Sequence, residues 1–415
     1  MILLLLLISL LAVFRAPAYP FWLLSVIVQE FPWIFMSLVL LLLLTGGYAG
    51  KYGLVNALTS ALALILYLSP VIRAYSVSRV LDRKLQYAFG NMFAPIDSTG
   101  GDSGRVRVKR DSALKADHGA PFRWQRMFGG KGGENIAART LTYGSAGGAG
   151  TSASGTGTSA GGAGTSAGGK PLTLDWYPAQ QPGLRPCVVV VHGGSWSSGD
   201  SRELPELNSR LAKDGYTVVS VNYRLAPHYR NPAQVEDVHS ALDYLRSHAT
   251  ELSIDTNTFV LLGRSAGAQI ALLAAYTLQD IAIKGVIDFY GPADMVWGYS
   301  VPSNPMIMDS RKVMSDYLGG PYPAVPQNYL NSSPVAFVTP HSVPTLIIHG
   351  QQDVLVAYEH SVRLQRKLAD SGVRNYLLTL PWATHGFDYT LNGPGGQLST
   401  YCVERFLEAI CQKQQ

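Results

Sequence analysis

The sequence predicts an α/β chain with a mostly parallel sheet, preceded by apolar helices. Three observations carry that prediction. From Cys187 onward, short β-branched strands alternate with amphipathic helical stretches, the pattern of parallel strands covered by helices on both faces. One strand-to-helix junction, from Phe259 to Ile270, contains Gly263-Arg264-Ser265-Ala266-Gly267. The first 72 residues hold three nearly uncharged apolar tracts, a composition suited to lipid.

The first tract, Ile2 to Phe14, is almost wholly aliphatic. It is short for a span and lacks the basic start of a secretory signal. The second, Phe21 to Leu44, is interrupted by Gln29, Glu30 and Pro32. Pro32 suits the first turn of a helix, so Phe31 to Leu44 is the cleaner run. The third, Leu54 to Ile72, carries no charge over about 19 residues, enough to cross a bilayer's hydrocarbon core. Residues 1–72 are therefore expected to form a transmembrane region of two or three helices. Arg73, Arg79, Arg83 and Lys84 follow it, whereas the loop before the third tract has only Lys51. The positive-inside rule then turns the rest of this integral membrane chain toward the cytoplasm.

Residues 73–135 read as a juxtamembrane linker. Within it, Arg105 to Arg110 is a short basic patch suited to solvent or lipid headgroups. The net charge of +5 is modest, and no basic cluster is interleaved with aromatics, so a nucleic-acid partner has no support. The three cysteines, Cys187, Cys402 and Cys411, include no Cys-x-x-Cys. The last two lie about 13 Å apart along one predicted helix, too far for a disulfide. Reduced thiols are expected, with no metal and no organic cofactor.

The soluble domain is expected over residues 136–415. Gly144 to Gly169 is built from Gly, Ser, Ala and Thr and cannot bury enough surface to order itself. Thr140 to Tyr143 before it and Leu172 to Tyr177 after it alternate like strands. The tract at 144–169 thus reads as a flexible insertion in a hairpin, where added length costs little entropy.

Val188 to Val191 is a strand ending in His192-Gly193-Gly194-Ser195-Trp196. Paired glycines after a strand let backbone N–H groups reach a ligand unobstructed, which suits an oxyanion hole. His192 is expected to brace that loop. Thr217 to Val221 is a strand ending in Asn222-Tyr223-Arg224-Leu225-Ala226-Pro227, followed by a helix that Asn231 can cap with Pro232 in its first position. At the Ser265 elbow the backbone must reverse within about three residues, exposing the hydroxyl at a helix N-terminus. Further strands are expected at Val286 to Tyr290, Thr345 to Ile348 and Tyr376 to Leu380, then a C-terminal helix through Val403, Phe406, Leu407 and Ile410.

Asp353 follows the Thr345 strand, and His385 follows the Tyr376 strand. Ser265, Asp353 and His385 stand in the chain order of a nucleophile, its orienting acid and its base. Glu359 falls on a predicted helix and is less well placed than Asp353, while His349, at a strand end, reads as structural. Backbone N–H groups of Gly193, Gly194 and Ala266 are the expected oxyanion donors. The segment from Ala293 to Pro334 is expected to cap the site.

From about Leu172 onward the chain resembles the α/β-hydrolase superfamily. Its closest resemblance is to the hormone-sensitive-lipase-like and feruloyl-esterase-like (BD-FAE) carboxylesterases. His192-Gly193-Gly194-Ser195-Trp196 is similar to the His-Gly-Gly-x-Trp of the second group and of kynurenine formamidases, and Asn222 to Pro227 looks like the strand-end motif these esterases share. Ser195, where lipase-like members often have a third glycine, and the bulky Arg264 are departures. Plant prenylcysteine methylesterases join a similar domain to membrane helices, though their substrate residues cannot be mapped onto this chain. The resemblance implies an α/β-hydrolase fold and a membrane-anchored serine esterase acting on a small-molecule or lipid-like ester. Two rivals are an arylformamidase-like amide hydrolase and an inactive, membrane-tethered binding module.

Overall fold

A computed structural model of the chain describes residues 1–45, 53–90, 119–130, 132, 136–146 and 170–411. Three helices come first: α1 (Ile2–Ser9), α2 (Tyr19–Glu30) and α3 (Pro32–Leu44). The 37-residue α4 (Gly53–Phe89) follows. Next are β1 (Arg139–Ser145), β2 (Pro171–Tyr177), β3 (Arg185–Val191), α5 (Pro205–Lys213), β4 (Thr217–Val221), α6 (Ala233–Ser247), β5 (Ile254–Arg264), α7 (Ala266–Thr277) and β6 (Ile283–Phe289). The short α8 (Met295–Ser300), α9 (Ser310–Leu318) and α10 (Pro326–Asn331) make up the segment expected to cap the site. The chain ends through β7 (Thr345–Gly350), α11 (Glu359–Asp370), β8 (Asn375–Leu380) and α12 (Pro394–Ile410).

The strands form one eight-stranded sheet in the order β1-β2-β4-β3-β5-β6-β7-β8. β1 with β2, and β2 with β4, are antiparallel, whereas all pairs from β4 through β8 are parallel. Every residue of β3 and β4 is buried, as their unbroken valine-rich runs require of strands covered on both faces. Cys187, Cys402 and Cys411 are free and buried. From β3 the chain moves to β4 on one side and then to β5 on the other. The strand order therefore reverses between β3 and β5, and a crevice opens at their carboxyl ends. Val191 pairs with Gly263 across that junction, so the loop at His192 and the elbow at Ser265 leave the sheet side by side.

β1 lies opposite β2 with Arg139 against Trp176, so the connection between them closes a hairpin. Most of the expected insertion, residues 147–169, and the Arg105–Arg110 patch lie outside the described residues. The helix expected to be capped by Asn231 begins at Ala233. Asn231 Oδ1 instead accepts from the Tyr317 hydroxyl of the cap at 3.1 Å, a tertiary partner invisible to local spacing.

The expected division at Ile72 is not a break in the chain's structure, because α4 runs straight through it. Its first half joins α1 and α3 in a separate apolar cluster containing Leu5, Phe35, Val39, Ala63 and Tyr67, while Leu54, Leu58, Leu62 and Ile65 remain exposed. Its second half buries Ala74, Leu81, Leu85 and Phe89 in the core under the sheet, beside α12. Phe89 meets Phe406 edge-on at 5.0 Å. The second tract does not form one straight helix. α2 and α3 meet at 83°, because Pro32 has no N–H to continue α2 and starts a new helix. Among the described residues, α4 is the one helix long and apolar enough to cross a membrane alone, and the α2–α3 pair qualifies only as a broken span.

Candidate active site

Ser265 sits at φ 53°, ψ −122°, a conformation that costs energy for any residue with a Cβ and is held by its surroundings. Those surroundings demand glycine on both sides. A Cβ on Gly263 would lie 2.3 Å from the Gly267 carbonyl oxygen, and one on Gly267 would lie 2.2 Å from that of His192. α7 can thus start directly against the end of β3, with Ala266 as its first residue. The first N–H groups of a helix lack intrahelical acceptors.

The glycine loop lies against this elbow. A Cβ on Gly193 would touch the Ser265 Cβ at 3.5 Å, and Gly194 has φ +104°. His192 Nδ1 lies 2.7 Å from the Gly193 carbonyl oxygen, and its ring stacks on Tyr223 at 4.3 Å. The Tyr223 hydroxyl donates to the carbonyls of His192 and Gly193 at 3.1 and 3.2 Å. Burial pushes the His192 imidazole down to about 4, so it stays neutral and braces the loop. Trp196 Nε1 donates to Gln269 Oε1 of α7 at 2.9 Å and its ring stacks on Tyr317 of the cap.

Asp353 is buried in the loop after β7. Its Oδ2 accepts from His385 Nδ1 at 2.7 Å and from His349 Nε2 at 3.2 Å. Its Oδ1 accepts the N–H groups of Leu355 and Val356, each at 2.9 Å. Burial opposes its ionisation, but the charges and hydrogen bonds of His385 and His349 outweigh that and hold the carboxyl below the usual carboxylate range. His349 Nδ1 lies 2.6 Å from Ser361 Oγ, so this histidine is fixed in the domain interior and helps hold the Asp353 carboxylate. Glu359 starts α11.

Ser265, His385, Gly193, Gly194 and Ala266 line a single cavity of about 700 Å³. Among the described residues, no hydrogen bond joins the Ser265 hydroxyl to the His385 imidazole. Val301, Ile307, Met308 and Met314, from the segment containing α8 and α9, form an apolar roof over the cavity.

Two features of the site were not foreseen. Arg264, the bulky residue in the elbow, is buried and donates from Nε to Asp388 Oδ2 at 2.5 Å. The Tyr290 hydroxyl donates to the other oxygen of Asp388, and the Tyr290 ring packs 4.3 Å from that of His385. A positive charge inside a buried turn implies an acid partner, but Asp388 is 124 residues away and reads locally as a turn residue. Secondly, Tyr19 and Trp22 of α2 line the same cavity. Their tract reads as membrane helix because aromatic and aliphatic residues suit lipid as well as a pocket wall.

Residues 174–368 match the BD-FAE family model. The chain is 30% identical to Esterase LipC of Mycobacterium tuberculosis, over 54% of this chain and 58% of that protein. It is 27% identical to the Probable carboxylic ester hydrolase LipM of the same organism, over 55% of each. The chain thus spans little more than half the length of the curated relatives it matches. EstE1, a carboxylesterase cloned from a metagenomic library, superposes with a TM-score of 0.55 at 21% identity, covering 69% of this chain and 94% of that one, which is a likeness of fold. Family model, relatives and sheet topology agree: residues 174–368 resemble the BD-FAE-like esterases and lipases, on an α/β-hydrolase fold.

Proposed function

We propose that this protein is a membrane-anchored serine hydrolase that cleaves a carboxylic ester through an acyl-enzyme. Ser265 Oγ attacks the ester carbonyl carbon as His385 Nε2 takes its proton. The N–H groups of Gly193, Gly194 and Ala266 stabilise the oxyanion that forms. The bond to the alcohol oxygen then breaks, and His385 returns the proton to the departing alkoxide. Water, deprotonated by the same imidazole, hydrolyses the acyl group from Ser265. Asp353 keeps the Nδ1 proton of His385 on its own side, leaving Nε2 free to act as base.

The observation that carries this reading is the 2.7 Å bond from His385 to Asp353, with His385 lining the same cavity as Ser265. Anchoring is supported by the exposed apolar first half of α4. Arg73, Arg79, Arg83 and Lys84 favour a domain on the cytoplasmic side. The apolar roof favours an ester with a hydrocarbon acyl or alcohol group. The test is labelling of the detergent-solubilised full chain by a fluorophosphonate probe, expected in the native chain and lost in Ser265→Ala. Rates on matched p-nitrophenyl ester and arylformamide substrates are expected to favour the ester. A folded but unlabelled native chain would leave only a tethered binding module, and a preference for the formamide would make it an amidase.

A further inference from the structure

The segment from Val13 to Glu30, read from sequence as membrane anchor, grips both loops that carry the candidate acid and base. Trp22 Nε1 donates to the carbonyl oxygen of His385 itself at 3.0 Å. Gln29 Oε1 accepts the N–H of the preceding residue, Thr384, at 2.9 Å, while its Nε2 donates to the Leu11 carbonyl at 2.9 Å. The loop bearing Asp353 is held as well. Arg15 donates to the Gln351 carbonyl at 2.9 Å, and Gln352 Nε2 donates to that of Val13 at 2.7 Å. The Glu30 carboxylate accepts the N–H groups of Gly395 and Gly396 at the start of α12. A side chain at Gly393 would strike this carboxylate at 2.1 Å, so the pocket that receives Glu30 is shaped for it. The cap is tied in too, since the Tyr19 N–H donates to the Met306 carbonyl at 3.2 Å.

The side-chain bonds from this segment to the two loops and α12 join residues 336 to 366 positions apart, and Gln29 and Glu30 are buried. A helix that served only as an anchor would have no cause to place an amide against the backbone N–H beside the candidate base. We infer that α2 is a positioning strap for the active site, with Gln29 and Trp22 as its positioning residues. It sets the backbone of the His385 loop relative to Ser265, and thereby makes turnover depend on how the N-terminal region is seated. Gln29 does not line the cavity, so it acts on the reaction through Thr384 and His385. Trp22 does line it. The inference rests on the serine-esterase reading above.

The experiment uses the full chain in detergent with p-nitrophenyl acetate, an ester with a short acyl group. Competent sites are counted by the endpoint of fluorophosphonate labelling, so that turnover is expressed per labelled site. Gln29→Met keeps the side chain's length and removes both of its hydrogen bonds. Trp22→Phe keeps a ring and removes the N–H. Displacing a reacting group by about 1 Å costs about 100-fold. Gln29→Met is accordingly expected to lower kcat per site about 10- to 100-fold with KM within about twofold, and Trp22→Phe to lower kcat as well. A merely structural role would reduce the number of labelled sites and leave kcat per site and its pH profile unchanged. That outcome in Gln29→Met, or in Trp22→Phe if the first variant does not fold, overturns the inference while the hydrolase reading stands. Failure of the native chain to label would instead remove the hydrolase reading, and the strap's role with it.

Discussion

Replacing Asp353 by asparagine tests the proposed chemistry at one atom. The substitution nearly conserves shape. The amide oxygen of the variant can keep the N–H groups of Leu355 and Val356, so the loop has no reason to move. The other position, which now accepts from His385 Nδ1 and His349 Nε2, becomes an amide donor. His385 must then carry its proton on Nε2, the atom that has to receive the Ser265 proton. The charge is lost too. Unit charges about 4 Å apart at an effective dielectric of about 20 interact by about 4 kcal/mol, worth about 1,000-fold in rate. With the tautomer penalty added, kcat on a p-nitrophenyl ester is expected to fall about 10³- to 10⁴-fold, with little change in KM. The assay is steady-state hydrolysis by the purified full chain between pH 6 and 9, alongside a thermal melt to show that the variant is folded. A folded Asp353→Asn protein retaining kcat within tenfold of the native chain would refute the assignment of Asp353 as the residue that orients the base.

Other substitutions probe the frame. Asp388→Ala leaves the Arg264 guanidinium buried without its carboxylate and should cost about 3–5 kcal/mol in denaturant unfolding, with the double change Arg264→Met, Asp388→Leu recovering most of it; equal stability of the two variants would contradict this. Gly267→Ala places a methyl 2.2 Å from the His192 carbonyl oxygen, so folded, fluorophosphonate-reactive protein should be nearly absent, and normal labelling would show that the elbow is looser than drawn. Asp288 gives a pH signature. Burial raises its carboxyl to about 7, against the opposing Gly291 N–H bond and the His349 charge. The folded chain then binds that proton more tightly than the unfolded chain, so the native protein loses stability as pH rises from about 4 to 7. Asp288→Asn keeps an oxygen for Gly291 and should gain on the native chain between pH 5 and pH 8, by about 2–3 kcal/mol. Parallel melting curves across that range would exclude the effect.

Local pattern determined a good deal of this molecule. Valine-rich runs buried on both faces define β3 and β4 because no solvent-facing side needs polar residues. Gly263 and Gly267 are legible because a tight elbow leaves no room for a Cβ, whatever the rest of the chain does. The order of Ser265, Asp353 and His385 follows from strands that each deliver one loop to the same edge of a parallel sheet.

Tertiary structure alone decided the rest, because its cause lies in partners far along the chain. Arg264 reads as an awkward choice until Asp388 and Tyr290 close around it. Asn231 reads as a helix cap until Tyr317 takes its oxygen. The continuity of α4 through Ile72 depends on α12 being there to receive Leu81 and Phe89. In the same way Trp22, Gln29 and Glu30 read as blemishes in a lipid-facing tract, since hydropathy measures what a side chain avoids and not what it binds. Only folding brings them to the backbone of residues 384–396, where an apolar segment becomes part of the frame of the site.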